Sequence, residues 1–229
     1  MAIHFDRLDN PVANIHAPFG LVAGIHRKGF YRNYGKRVLD IAFVLLVSPM
    51  LLILVGILAL FIARDGNSPF YWSRRVGRNG ATFRMLKLRT MVPNADILLE
   101  IHLARNSVAR KEWITSQKLK RDPRITRFGR LLRKTSLDEL PQFWNVLRGE
   151  MSLFGPRPML PSQRALYPGL AYYNLRPGIS GPWQVADRNE CEFARRAEFD
   201  KDYDDNLSLG GDLKLLAQTI RVVLGGTGY

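Results

Sequence analysis

The sequence predicts a mixed α/β fold, mainly helical with a small hairpin or sheet, built behind an apolar membrane segment near the N-terminus. Three observations carry that prediction. Val38 to Ala63 is an almost unbroken apolar run in which Asp40 is the sole charge, longer than the roughly 20 residues a helix needs to cross about 30 Å of hydrocarbon. Asn79-Gly80 stands between β-prone residues, the strongest short signal for a hairpin. Further along, apolar residues recur at helical spacing in stretches separated by Gly and Pro, the pattern of amphipathic helices.

Residues 1–35 mix Gly, Pro, Asn and His without a steady period and read as an irregular arm. The membrane segment follows at 36–64. Within it, Ser48-Pro49 predicts a break, because proline removes a backbone donor and crowds the preceding turn at a cost of about 3 kcal/mol. Arg27, Lys28, Arg32, Lys36 and Arg37 precede the run, and Arg64, Arg74, Arg75 and Arg78 follow it. A single crossing leaves one end poorer in cations. The basic symmetry therefore suits a re-entrant, helix-break-helix segment, while a spanning helix and a buried core helix stay open as readings. Asp40 lies four residues after Lys36, close enough for both to reach the headgroups. The run is too long and too far inside the chain for a signal-peptide core, so it is expected to be retained.

Residues 65–229 suffice for one domain of ordinary size. Lys and Arg outnumber Asp and Glu by 34 to 20, a net charge of +14, so the partner is anionic: nucleic acid, anionic lipid or a phosphorylated substrate. The apolar run favours the lipid. Cys191 is the sole cysteine, which excludes an intrachain disulfide and fits a reducing compartment. Four histidines and one cysteine in no ligand spacing argue against zinc.

Phe70-Tyr71-Trp72 suits either the membrane interface or an edge strand. If the strand after the turn is extended, Lys87 and Arg89 share one face by the two-residue period. Apolar residues from Leu98 to Ile114 among Arg and Lys predict a helix over 94–118, lying on the membrane or on the core. Ser136 and Glu139 form a capping-box pattern, opening a helix with Leu137, Leu140, Trp144 and Leu147 on its apolar face and Gly149 as its stop. Leu213 to Leu224 carries the last helical stripe.

The chemistry gathers at Thr135-Ser136-Leu137-Asp138-Glu139, directly after five cations between Arg124 and Lys134. Glu139 as a cap and Asp138 as a complement to the helix dipole is one reading. The other is a carboxylate pair beside Arg133 and Lys134 that faces a phosphate, one carboxylate attacking and the other binding metal. Gly155-Pro156-Arg157-Pro158 presents a guanidinium with little backbone freedom. Arg176-Pro177-Gly178 leads to Trp183 and Gln184, suited to base stacking and amide contacts, and on to Arg188.

Taken together, these residues resemble the bacterial sugar transferases, monotopic polyprenyl-phosphate phosphoglycosyl transferases. The resemblance is carried by the basic-apolar stretch with Ser48-Pro49, Phe83 to Met91, Ser136 to Gln142, Gly155 to Pro158 and Arg176 to Gly178. It implies transfer of hexose 1-phosphate from a UDP-sugar, UDP-galactose or UDP-glucose, to undecaprenyl phosphate with release of UMP, requiring Mg2+. Asp138 inherits the nucleophile's role and Glu139 that of the metal ligand; Arg133 and Arg157 inherit phosphate contacts. Lys87, Arg89, Pro158, Arg176, Gln184 and Arg188 complete the expected substrate-binding set. The resemblance also favours the re-entrant segment, a cytoplasmic catalytic domain over 65–229 on the bacterial inner membrane, no nucleic-acid partner, and the compact subgroup without further N-terminal membrane helices. Ser180, where threonine is usual, and Asp187, where glycine is expected, depart from the pattern. Without the resemblance, a membrane-tethered basic binding protein or a metal-dependent diphosphate hydrolase also suits these residues.

Overall fold

The computed structural model describes residues 29–116, 119–186 and 193–225. The apolar run forms one helix, α1 (Lys36–Ile62), entered through a π turn at Tyr31–Gly35. The predicted break is absent, since helical backbone continues through Ser48 and Pro49. The reason is local. Pro49 has no N–H for the carbonyl of Leu45, and the Ser48 hydroxyl donates to that carbonyl at 2.9 Å instead, which offsets the lost bond.

Burial along α1 is confined to its two ends: Asp40 and Val44 at the first, Leu58 and Ile62 at the second. Between them Leu46 is 79% and Leu52 72% exposed. By length and composition the helix is able to cross a membrane. Both ends nevertheless dock on the same domain. At the first, Arg37 donates to the carbonyls of Val146 and Leu147 at 2.6 and 3.0 Å, Lys36 pairs with Asp212 at 2.7 Å, and Asp40 accepts from the Leu153 amide at 3.1 Å. At the second, Arg89 donates to the Ile62 carbonyl at 3.2 Å and to the Asp65 carboxylate at 2.7 and 2.8 Å.

The expected hairpin is present as β1 (Phe70–Val76) and β2 (Thr82–Leu88), antiparallel, with Asn79 and Gly80 at φ 57° and 77° in its turn. Tyr71 opposes Lys87 and Arg75 opposes Phe83, so Tyr71, Arg75 and Lys87 share one face. The single helix predicted over 94–118 is instead two, α2 (Ala95–Arg105) and α3 (Ser107–Ser116), with residues 117–118 outside the described set. Asn106 separates them in an extended conformation, and its side-chain oxygen accepts from the Ala109 amide at 3.0 Å.

Helix α4 (Arg127–Lys134) is capped by Thr126, whose hydroxyl accepts from the Gly129 amide at 2.8 Å. Gly129 lies so close to the chain after β2 that a Cβ there would stand 2.1 Å from the Thr90 carbonyl. The helix predicted from Leu137 is divided into a 3-10 turn, Leu137–Glu139, and α5 (Gln142–Leu147). Pro141 between them cannot donate to a continuous ladder. The fully buried residues of α5 are Gln142, Asn145 and Val146; of the apolar face read from the sequence, Leu137 and Leu147 pack half-buried against the core while Trp144 is 51% exposed. Gly149, at φ 81°, ends the segment as expected.

Strands β3 (Ser152–Phe154) and β4 (Gly178–Ser180) pair in parallel around α6 (Ala171–Asn174). Then follow α7 (Pro182–Val185), α8 (Arg196–Asp205) and α9 (Leu209–Leu224). In α9 Asp212 and Leu215 face inward, while Leu213, Ile220 and Val223 of the predicted stripe are exposed. Small apolar clusters hold the domain together. Val44 packs with Met85, Val146 and Met151, and Leu58 and Ile62 pack with Leu88 and Leu132, so β2 is gripped by both ends of α1.

Asp200, 3% exposed, accepts from the Tyr167 hydroxyl at 2.9 Å. Burial pushes its carboxyl up to about 7 against the opposing pull of Tyr167 and Arg196. A carboxyl that holds its proton more tightly when folded contributes stability that is complete below about pH 4 and is lost as pH rises to 7. Thermal unfolding in detergent should therefore show a midpoint that falls over this window, and Asp200→Asn should flatten the slope. An unchanged slope in the variant would contradict the assignment.

Candidate functional site

The site is assembled from the end of β2 and the 3-10 turn. Lys87 projects from β2 and its ammonium donates to Glu139 at 2.7 Å, with Asp138 at 3.5 Å. Asp138 is 7% exposed. Burial raises its carboxyl above the usual range, Lys87 opposes that, Glu139 adds to it, and Arg133 opposes it again. The expected capping box does not form. Ser136 occupies the left-handed region at φ 58° and makes no side-chain cap; its amide donates to the Arg133 carbonyl at 3.2 Å, and Glu139 accepts from Lys87. A serine in this region carries strain on the order of 1 kcal/mol, directly before the carboxylate pair.

Arg133 reaches the same place from α4. Its Nε donates to the Thr90 hydroxyl at 2.9 Å, and its charge is felt at Asp138. The two Gly/Pro loops also belong together. A Cβ on Gly155 would lie 2.3 Å from the Arg176 carbonyl, and one on Gly178 would lie 2.2 Å from the Gly155 amide nitrogen. Only glycine permits that backbone contact, which sets Arg157 beside α7.

Sequence reasoning missed Arg75. It shares the hairpin face with Lys87, its Nη1 donates to the Pro158 carbonyl at 3.4 Å, and its buried Nε has no partner among the described residues. Burial first, and then the adjacent Arg157 charge, push its guanidinium down to about 10, while Glu139 is among the anions that oppose this. Two arginines that repel each other beside a carboxylate form a ready place for phosphate oxygens. The signal was available in the register, which the Asn79-Gly80 turn fixes.

The other predicted residues make contacts within the protein. Arg89 is tied to Asp65 and the end of α1. Arg176 donates to the Gly149 carbonyl at 2.9 Å. Trp183 is 3% exposed, with Arg196 4.0 Å and Arg157 5.7 Å from its ring, so it is not open for base stacking. Gln184 is buried and donates to the Ile179 carbonyl at 2.8 Å. Pro158 contributes its carbonyl to Arg75. Arg188 and Asp187 lie outside the described residues.

No group of three or more His, Cys, Asp or Glu that would cage a metal occurs among the described residues. Two carboxylates do suit Mg2+, which is usually held by one or two carboxylates together with substrate phosphates. Asp138 and Glu139 thus place two carboxylates beside Lys87 and Arg133, with Arg75 and its neighbour Arg157 close by, a composition able to engage phosphate oxygens.

A family model described as bacterial sugar transferase matches residues 31–226. A UDP-galactose-lipid carrier transferase of Erwinia amylovora is 48% identical over 191 residues, covering 82% of this chain and 40% of that protein. The exopolysaccharide production protein ExoY of Sinorhizobium fredii is 44% identical over 194 residues, covering 82% of this chain and 84% of that one. An undecaprenyl-phosphate galactose phosphotransferase of Salmonella typhimurium is 43% identical over 195 residues, covering 82% of this chain and 41% of that protein. The chain thus spans about two fifths of the two relatives named for galactose and most of ExoY.

Because Lys87 holds the Asp138 carboxyl down, Lys87→Met should let it rise further. The acid limb of the pH-rate profile should then move to higher pH, with turnover reduced by roughly tenfold or more. An unmoved acid limb would separate Lys87 from Asp138.

Proposed function

The chain belongs to the bacterial sugar transferase family, and from that premise we propose that it transfers hexose 1-phosphate from a UDP-sugar to undecaprenyl phosphate, releasing UMP. This is the opening step of exopolysaccharide or glycan assembly. The observation that carries the reading is the buried Asp138 beside Glu139 and Lys87, with Arg133 and the Arg75-Arg157 pair around them. The names of the relatives support an undecaprenyl phosphate acceptor and make galactose the first sugar to test, with glucose the second.

Chemically, an Asp138 oxygen attacks the phosphorus that bears the sugar. A bond forms between that oxygen and phosphorus, and the bond to the bridging oxygen breaks, its electron pair leaving on UMP. A phosphate oxygen of the acceptor then attacks the same phosphorus, and Asp138 departs as a carboxylate. Splitting the displacement in this way is the advantage of a covalent nucleophile. Lys87 favours the ionised form of the buried Asp138 against the effect of burial, and the arginines hold the phosphate oxygens as charge shifts between them. Glu139 would help hold Mg2+, which would supply further neutralisation of that charge.

The domain works at the cytoplasmic face of the inner membrane, with α1 re-entrant. Support comes from the docking of both ends of α1 on one domain and from its exposed apolar middle. A domain that lies on one side of a bilayer holds both helix ends on that side. The Ser48 hydroxyl at the Leu45 carbonyl lets the proline stay within helical backbone, a contact that tends to bend helices.

Protein in nanodiscs with Mg2+, undecaprenyl phosphate and a panel of UDP-hexoses should release UMP with UDP-galactose or UDP-glucose. Asp138→Asn should reduce turnover by about 10³-fold or more; full turnover in that variant would remove the mechanism.

A further inference from the structure

A cavity of about 200 Å³ opens beside Glu139, between the 3-10 turn, α5, α7 and α9. Leu137, Leu140, Phe143, Ile179, Val185 and Val223 form most of its wall. The polar groups at its edge are largely satisfied within the protein. Ser180 Oγ and Thr219 Oγ1 lie 2.7 Å apart, Thr219 donates to the Leu215 carbonyl at 2.7 Å, and Thr135 donates to the Leu131 carbonyl at 2.9 Å. Gln184 Oε1 is the exception, buried and without a partner among the described residues. A cavity of roughly 150 Å³ with Leu, Ile and Phe walls is enough to bind benzene. This one has room for a small branched hydrocarbon.

Its position is informative. The Phe143 ring stacks on Phe43 of α1, with centroids 6.5 Å apart, so one wall continues into the apolar surface of the membrane helix. On the other side α9 exposes Ile220 and Val223. An apolar path therefore runs from the lipid-facing helix to Glu139. A nucleotide sugar arriving from water has no use for such a path. A lipid phosphate has, because its headgroup must reach buried Asp138 and the first units of its chain must follow it out of the bilayer.

Resting on the transferase reading above, we infer that this cavity is the subsite for the phosphate-proximal isoprene units of the acceptor. The hydrocarbon seated there sets the depth at which the lipid phosphate meets the carboxylate pair. Acceptor recognition is thereby divided, with cations for the phosphate and an apolar cavity for the start of the chain.

Val223 stands at the rim, 40% exposed, so Val223→Trp narrows the cavity at a position that tolerates a large side chain. The KM for undecaprenyl phosphate should rise by roughly tenfold or more, while the KM for the UDP-sugar stays within about twofold. An unchanged acceptor KM would overturn the inference. So would a rise confined to the donor KM, which would assign the cavity to the uracil ring with Gln184 Oε1 as its acceptor. A second measurement on the wild-type protein requires neither the variant nor turnover. A short polyprenyl phosphate with a photoreactive diazirine on its first isoprene unit should crosslink to α5 or α9; crosslinks confined to α1 would contradict the subsite. Wild-type protein that crosslinks in this way yet releases no UMP would count against the transferase reading and not against the cavity.

Discussion

Everything in the domain depends on both ends of one apolar helix being fastened to the same body. A 27-residue helix rises about 1.5 Å per residue and is some 40 Å long, yet it buries side chains only where it meets the domain. The fastenings are specific. Arg37 caps the C-terminal carbonyls of α5, the helix that follows the carboxylate pair. Arg89 takes the last carbonyl of α1 and follows directly on β2, which carries Lys87. The membrane segment thus holds the acidic half of the site by one end and the basic half by the other. Lys36 extends the first fastening through Asp212, which also accepts from Tyr31 and Tyr203 at 2.6 Å each.

On that frame the site is an arrangement of charges that are costly apart. A carboxyl as buried as Asp138 tends to take up a proton, and a nearby carboxylate strengthens the tendency. Lys87 and Arg133 counter it. Arg75 and Arg157 stand in the opposite position, cations beside one another whose repulsion an anion relieves. Acid and base halves are complementary without cancelling, a pairing that suits a ligand bringing anionic oxygens to one half and an electrophilic phosphorus to the other. The strained Ser136 turn keeps the pair at the end of β2 and not at the start of a regular helix.

Much of this was legible in the sequence, and the failures have physical causes. The apolar run, the Asn79-Gly80 hairpin and the Gly149 stop depend on local chemistry, and each was found where expected. Ser136 and Glu139 spell a capping box, but Lys87, 52 residues away from Glu139, takes the glutamate, and no local pattern contains that competition. Arg89 was placed beside Lys87 by strand period, but the strand ends at Leu88 and Asp65 draws the guanidinium away. Arg75 was missed for the converse reason, since its role requires the register of β1 on β2 and the return of the Arg157 loop. In α9 the stripe suits the core or the membrane surface equally by spacing; Leu213, Ile220 and Val223 face outward, because the core side is made by Asp212 and Leu215.

The proposed function requires both ends of α1 on one side of the membrane, where the carboxylate pair can meet a lipid phosphate and a soluble nucleotide sugar together. Single cysteines in a Cys191→Ser background, at Tyr34 and at Arg64, can be labelled with a membrane-impermeant maleimide in right-side-out and inverted vesicles. By that requirement both positions should react in inverted vesicles and neither in right-side-out ones. Labelling of the two positions from opposite faces would contradict it.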